Sequence, residues 1–363
     1  MRITFVVPTL NLTGGLRVVS IYAKLLAEKG HIVTVVSPKE KTPTFKQKIK
    51  CALKWKNYQF KNHFDTTFFA NVDYSVALSK YSHQVFEEDV PDADVVIATW
   101  WKTAEWVNDF ADEKGTKVYF IQHYEAHIGQ PVERVMETYR FPFYKITIAN
   151  WLVSLMEKDY ADNKSFLVPN SVDHELFYAD ARTKQDIPTI GFLFSEVEFK
   201  GIETTLKVID NLKQKIPTLR VIAFGSHFPT IFDVPDYVEL SINPKQQDIR
   251  LLYQQCDLWL CCSLIEGFGL TILEAMACRT PAVSTKCGGP EDIISEGVNG
   301  YLCEVDDIEA LAIAAQRILD FGEQEWQVFS EQAYAHAHSY SWRDAVALFE
   351  AALQQAYICE NKE

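Results

Sequence analysis

This chain lacks several patterns that would have decided its class at once. Its eight cysteines form no CxxC pair and no regular framework, and six of them fall between Cys256 and Cys303. That excludes a small disulfide scaffold or a zinc ribbon and predicts reduced, buried thiols of a cytoplasmic protein. Basic residues are in the minority, 35 Lys and Arg against 49 Asp and Glu, for a net charge of −14. Nucleic acid would need a broad basic surface, so it is excluded as a partner. No window reaches the ~18 apolar residues of a membrane span, and the apolar run at residues 1–8 is too short for a signal peptide. No G-x-G-x-x-G is present, which leaves a nicotinamide cofactor without support. Internal repeats and low-complexity tracts are absent as well.

What remains is ordinary globular material, 48% hydrophobic and 23% charged over 363 residues, enough for two domains with separate cores. Short apolar runs alternate with amphipathic stretches. Strands are expected at 3–7, 32–36, 94–99, 117–122, 145–149 and 165–168, with helices at 16–29, 101–113 and 150–160. The alternation restarts with strands at 189–194, 219–224, 257–262, 281–284 and 301–303, and the chain turns helical again after about residue 341. Such alternation predicts parallel, doubly wound sheets. The polar, turn-rich stretch 169–188 contains the expected linker. The resulting domains are 1–168, 169–340 and a final helical segment 341–363. Two doubly wound domains present two crevices at the carboxyl ends of their strands, which face to face form one cleft.

The densest signal is E-G-F-G-L-T-I-L-E-A-M-A, residues Glu266 to Ala277. Gly267 and Gly269 bracket Phe268 immediately before a helical apolar run that begins at Leu270. A loop-to-helix junction presents unpaired N–H groups and the positive end of the helix dipole, a physical site for phosphate. Glycine lets the backbone approach a ligand or take positive φ. Glu274 lies on the apolar side of this helix at ~100° per residue and therefore needs a polar partner. Two carboxylates flanking an anion site suit a nucleotide sugar. An isolated E-x7-E is as readily a turn and a structural salt bridge.

Around it runs a strand-like D-L-W-L-C-C-S at 257–263, the strand P-A-V-S at 281–284, G-G-P-E-D-I at 288–293 and G-V-N-G-Y-L at 297–302. In this order the segment closely resembles the C-terminal half of the retaining glycosyltransferases of family 4, with fainter landmarks along nearly the whole chain. The resemblance implies an α/β GT-B fold, two Rossmann-like domains facing across a cleft, with the last helix crossing back to the N-terminal domain. It also implies metal-independent transfer of a sugar from a nucleoside diphosphate to a hydroxyl of a glycan or lipid-linked glycan, in polysaccharide biosynthesis and without a cofactor. Scattered acidic residues do not compose the paired-aspartate motif of a metal-dependent transferase.

Residue by residue, the resemblance places Gly14 and Gly15 of P-T-L-N-L-T-G-G-L-R against the donor phosphates and the acceptor, though a tight turn explains them equally. His123, after the strand F-I-Q-H, would contact the donor sugar; a lone histidine is otherwise an ordinary structural residue. Lys200 of the K-G pair would clamp the diphosphate, Glu266 orient the sugar, the N–H groups of Phe268, Gly269 and Leu270 hold phosphate, and Glu274 bind ribose. Residues 221–226 and 236–243 would hold the base through backbone groups. Two positions depart from the family pattern. Phe194 stands where relatives keep an arginine, so that the diphosphate is held more weakly or Arg17, otherwise a helix-surface charge, substitutes; Arg279 stands where they have glycine, with its side chain expected to face solvent. Trp100 and Trp101 line an acceptor groove or pack in the core. His127 is read as a loop residue.

Lys39 to Lys61 breaks the acidic trend with eight lysines interleaved with Phe45, Ile49 and Leu53 at helical spacing. Such a segment lies on an anionic membrane surface or is a solvated helix, and the first alternative predicts a peripheral protein of the inner membrane face. Two rival functions fit the same sequence: a sugar-nucleotide epimerase or phosphorylase, and a catalytically silent binding module.

Overall fold

The computed structural model describes residues 1–11, 13–39, 68–127 and 129–361. The lysine-rich stretch therefore lies outside the described residues, apart from Lys39. No helix among the described residues is long and apolar enough to cross a membrane.

The chain divides into two units: residues 1–148, 152–168 and 346–363, and residues 149–151 with 169–345. In the first, β1 (Arg2–Val6), β2 (Ile32–Ser37), β3 (Ser75–Leu78), β4 (Val95–Ala98), β5 (Thr116–Ile121), β6 (Tyr144–Thr147) and β7 (Phe166–Leu167) form one parallel sheet in the order β3-β2-β1-β4-β5-β6-β7. The order reverses between β1 and β4, where Phe5 pairs with Val35 on one side and Ile97 on the other. Strands buried on both faces read as continuous apolar runs, which is why V-V-I-A and I-V-T-V-V-S were legible. One face is closed by the final helix, Trp342–Glu360. Its Phe349 stacks on Tyr22 at 4.3 Å and meets Phe120 edge-on at 5.1 Å. Fully burying such a ring contributes about 1.5–3 kcal/mol. Glu350 of the same helix is tied to Lys29 and to His31.

The second unit repeats the plan with β8 (Thr189–Leu193), β9 (Arg220–Gly225), β10 (Val238–Ile242), β11 (Leu258–Cys261), β12 (Ala282–Thr285) and β13 (Gly300–Cys303), ordered β10-β9-β8-β11-β12-β13 and all parallel. Its switch point lies between β8 and β11. The connection at 169–188 contains turns and no helix or strand. Helices Ile308–Asp320 and Glu323–His338 precede the final helix, so helical structure resumes well before residue 341.

Several element expectations needed correction. The helix at 101 ends at Asn108 and not at 113, because the N–H groups of Asp109 and Phe110 turn back to carbonyls three residues earlier. A 3-10 turn, Asp112–Lys114, follows. Edge strands β3 and β10 carry no long apolar run; β10 is fixed partly by Arg220 of β9, whose guanidinium takes both carboxylate oxygens of Glu239 at 2.7 and 2.6 Å. Seven described cysteines are free; all are buried except Cys359.

Candidate active site

The second sheet's switch point assembles the strongest polar cluster. Lys200 follows β8 and Glu266 follows β11, strands adjacent in the sheet but distant in sequence. Lys200 Nζ lies 2.7 Å from Glu266 Oε1. Ser263 Oγ donates to the same oxygen at 2.8 Å, and Cys261 Sγ lies 4.0 Å from it. Burial would lower the Lys200 ammonium, but the charge of Glu266 and its hydrogen bond outweigh it and hold the lysine above its ordinary range. The helix itself begins at Ile202, so Lys200 sits in the 3-10 turn Glu198–Lys200 just before it. Gly201, at φ +62°, joins the two; a Cβ there would lie 2.0 Å from the Cys262 carbonyl oxygen, so glycine is required.

Glu266 begins the phosphate-type loop. Its N–H donates to Cys287 O at 2.8 Å and its carbonyl accepts from Gly289 N at 3.0 Å, which fastens the loop to the segment after β12. The Gly267 carbonyl accepts the indole N–H of Trp151 at 3.0 Å. Phe268 is buried. Gly269 takes φ +99° and caps the helix Leu270–Ala277 without any side-chain bond. Its carbonyl receives Ile272 N and Leu273 N, while the first helical N–H groups, starting with Leu270, have no intrahelical acceptor.

Glu274 is 7% exposed on that helix, and Tyr253 Oη donates to its Oε2 at 3.0 Å. Sequence reasoning required a polar partner but did not find Tyr253, which sits in the helix Gln246–Gln254. Its ring is held edge-on by Trp259 at 4.6 Å, Phe224 at 5.6 Å and Phe177 at 6.0 Å. The Y-Q-Q-C-D spacing gives no signal for this contact. Glu196 was missed as well. Its carboxylate gathers Thr230 N, Thr230 Oγ1, Ile231 N and Phe232 N, and these bonds, the Thr230 hydroxyl first and Ile231 N–H next, hold it down to about 2. It thereby shapes the loop between β9 and β10, beside residues 221–226.

The two departures from the family pattern are structural. Phe194 is 3% exposed and belongs to the core of this unit with Phe192, Val208 and Leu260. A Phe194→Arg substitution places an unpaired charge in that core. It is expected to destabilise the unit by about 3–5 kcal/mol, visible as a lower denaturant midpoint, and to give no gain in nucleotide affinity. Arg279 has φ +64°, a conformation in which glycine is the easy residue. Its side chain does not face solvent: Nε donates to Ala179 O at 3.0 Å, the guanidinium pairs with Glu331 and lies 4.0 Å over the Tyr334 ring.

In the first unit, Gly14 begins the helix Gly14–Glu28, whose cap Thr13 makes no side-chain bond. No described atom lies within 4 Å of where a Gly14 Cβ would be, and a Gly15 Cβ would make only ordinary contact with Gln122. Neither glycine is demanded by packing. Gln122 Nε2 donates to Gly15 O at 3.2 Å, so the loop after β5 meets the start of the helix that follows β1. His123 is half-buried, with Nδ1 2.8 Å from Tyr124 O. A carbonyl only accepts, so Nδ1 carries the proton and Nε2 of the neutral ring is an acceptor. His127 packs edge-on to it at 6.1 Å. Arg17 is half-buried. Trp101 is core, 4% exposed, its indole N–H donating to Gln130 at 3.2 Å; of the pair, only Trp100 is half-exposed. Asp92-Ala93-Asp94 does spell an Asp-x-Asp, but it precedes β4, at the end of the sheet away from its strands' carboxyl edge. Asp94 there binds Arg2 and Asp92 binds Lys114.

Two parallel doubly wound units, with polar clusters at the carboxyl ends of the strands, define the GT-B class of α/β proteins. Solved structures agree over nearly the whole chain. Sucrose-phosphate synthase of Thermosynechococcus elongatus matches 99% of this chain and 100% of its own with a TM-score of 0.76 at 15% identity. Anabaena HepE in complex with UDP and glucose matches 98% and 100% with a TM-score of 0.72 at 16% identity. Residues 179–336, somewhat less than half of the chain, match the model of the glycosyl transferases group 1, and this segment is similar to that family.

Among curated relatives, the N-acetyl-alpha-D-glucosaminyl L-malate synthase of Bacillus anthracis is 33% identical over 122 residues, 32% of this chain and 31% of its own length. The GDP-mannose:cellobiosyl-diphosphopolyprenol alpha-mannosyltransferase of Xanthomonas oryzae pv. oryzae is 24% identical over 52% of each. The chain thus spans about a third to a half of the length of these two relatives.

Proposed function

We propose that this protein is a retaining, metal-independent glycosyltransferase that moves a sugar from a nucleoside diphosphate to a hydroxyl of a glycan or lipid-linked glycan. The observation that carries the reading is the Lys200–Glu266 pair at the switch point of the second sheet, beside the uncapped helix at Leu270. All hydrogen-bond partners of the Glu266 carboxylate among the described residues fall on Oε1, so Oε2 is the oxygen that takes a donor-sugar hydroxyl. Departure of the diphosphate places negative charge where Lys200 and the N–H groups of Phe268, Gly269 and Leu270 stabilise it. Glu274 takes the ribose hydroxyls. Gly14 and Gly15 leave room for phosphate or acceptor, and His123 positions the transferred sugar or its leaving group. Front-face attack with retention rests on the family resemblance.

The structural neighbours support the donor class, since HepE is seen with UDP and glucose. The lipid-linked acceptor is supported by the polyprenol-diphosphate named for the Xanthomonas relative. Residues 39–61 would place the protein at an anionic inner-membrane surface. The test is a panel of nucleotide sugars with glycan and lipid-linked acceptors, the product anomer read by NMR. Transfer with retention that persists in excess EDTA is expected. Loss of activity in EDTA restored by Mg²⁺ would overturn metal independence. Isomerisation of the sugar nucleotide without an acceptor would favour the epimerase, and failure to bind any nucleoside diphosphate at millimolar concentration the silent module.

A further inference from the structure

The loop that carries His123 is held by a residue to which the family resemblance gives no role. Glu125 lies two positions on, and its Oε2 accepts Trp101 N–H at 2.8 Å and the Tyr119 hydroxyl at 3.3 Å. Its own N–H donates to Tyr139 Oη at 2.9 Å. Between the two, the Tyr124 ring stacks on Tyr139 at 5.7 Å, and its hydroxyl lies 3.1 Å from that of Tyr160. The backbone from 123 to 125 is thus fixed by β5, by the start of the helix Trp101–Asn108 and by Tyr139. The carbonyl that holds His123 Nδ1 belongs to Tyr124, in the middle of that span.

We propose that Glu125 is the positioning residue for His123, anchoring the Tyr124 carbonyl that sets the imidazole tautomer. The inference rests on the reading of His123 given above. The geometry is economical. A carboxyl on a helix-start N–H accepts from the backbone whether or not it is ionised, so the anchor persists in either state.

Its protonation still matters. Burial pushes the Glu125 carboxyl up to about 8, opposed by the Trp101 N–H and the Tyr119 hydroxyl. The titratable groups facing it are Tyr119 of β5 and Tyr139, both raised well above the ordinary tyrosine range by burial and by Glu125, so neither ionises with it. A carboxyl whose folded pKa is raised stabilises the fold while neutral. That contribution is present at low pH and is lost as pH climbs from the ordinary carboxylate range through about 8.

The experiment uses the full-length protein with Glu125→Ala and Glu125→Gln, and ¹⁵N-histidine NMR of His123 beside kinetics. In wild type His123 should be the Nδ1–H tautomer. Glu125→Ala should mix the tautomers and lower kcat about tenfold with little change in the donor KM. Glu125→Gln keeps an acceptor for Trp101 N–H and should restore both. The wild-type denaturant midpoint should fall as pH climbs through about 8, and that of the glutamine variant should not. An unchanged tautomer in Glu125→Ala overturns the proposal whatever the activity. If that variant does not fold, Glu125→Asp, whose shorter side chain draws the carboxyl away from Trp101 N–H, takes its place, and an unchanged tautomer there overturns the proposal. A lost tautomer with unchanged kcat, in a wild type that transfers sugar, supports the positioning role and removes His123 from the reaction instead.

Discussion

Lys200→Ala is expected to lower kcat by ~10²–10³, the cost of removing a principal donor to developing charge. Lys200 lies at the switch point, and Phe194, where relatives keep an arginine, is core. The position therefore supplies no second cation to the departing diphosphate. The structure adds a consequence that the loss of one charge alone does not capture. Glu266 Oε1 accepts from both Lys200 Nζ and Ser263 Oγ; without the lysine, a largely buried carboxylate keeps only hydroxyl- and thiol-type side-chain partners among the described residues. Its charged form is disfavoured, so Lys200→Ala also weakens the orientation of the sugar by Glu266. Lys200→Ala with Glu266→Gln should therefore cost less than the sum of the two single changes, because the pair acts as a unit. Steady-state kinetics on the two single variants and the double variant measure this. Arg17→Ala should be the milder change; if it proves the more damaging one, the clamp sits on the first unit and Lys200 is only the structural partner of Glu266.

Glu274→Ala should weaken nucleoside diphosphate binding by about 1.5–3 kcal/mol, on the order of 10- to 150-fold in Kd, as for a charge-assisted hydrogen bond. The carboxylate is buried beside a helix start and has a fixed orientation, because Tyr253 Oη holds Oε2 at 3.0 Å. Tyr253→Phe removes that bond while keeping the ring among Trp259, Phe224 and Phe177, so it should give a smaller loss of the same kind, about 0.5–1.5 kcal/mol. Isothermal titration with UDP, GDP and ADP checks both. A folded Glu274→Ala protein with unchanged affinity for all three would mean that Glu274 serves packing and Tyr253 alone.

Repetitive local physics was legible in the sequence. Strands buried on both faces must be apolar throughout, so β1, β2, β4, β5 and β11 show as runs, and their alternation with amphipathic helices implies parallel sheets. Edge strands β3 and β10 have one open side and no such constraint, and were not legible. The helix start at Leu270 announces itself through Gly269, since a left-handed cap favours glycine whatever surrounds it. Glu274 was legible as a buried carboxylate from its helical position alone.

Partnership was not legible, because it depends on strand order and not on spacing. Nothing local says that β8 and β11 are neighbours, so the Lys200–Glu266 pair, the Tyr253 anchor of Glu274 and the Glu125 anchor of the His123 loop appear only in three dimensions. The same holds for the two departures. Phe194 and Arg279 look like altered binding residues in a row of letters. Only packing shows one to be core and the other to be bound to Ala179, Glu331 and Tyr334. The sequence by itself determined where the backbone turns and which faces are apolar, since those follow from each residue's own sterics and hydration. The tertiary structure decided which charges meet, because the desolvation that makes a buried charge matter exists only once the sheets are assembled.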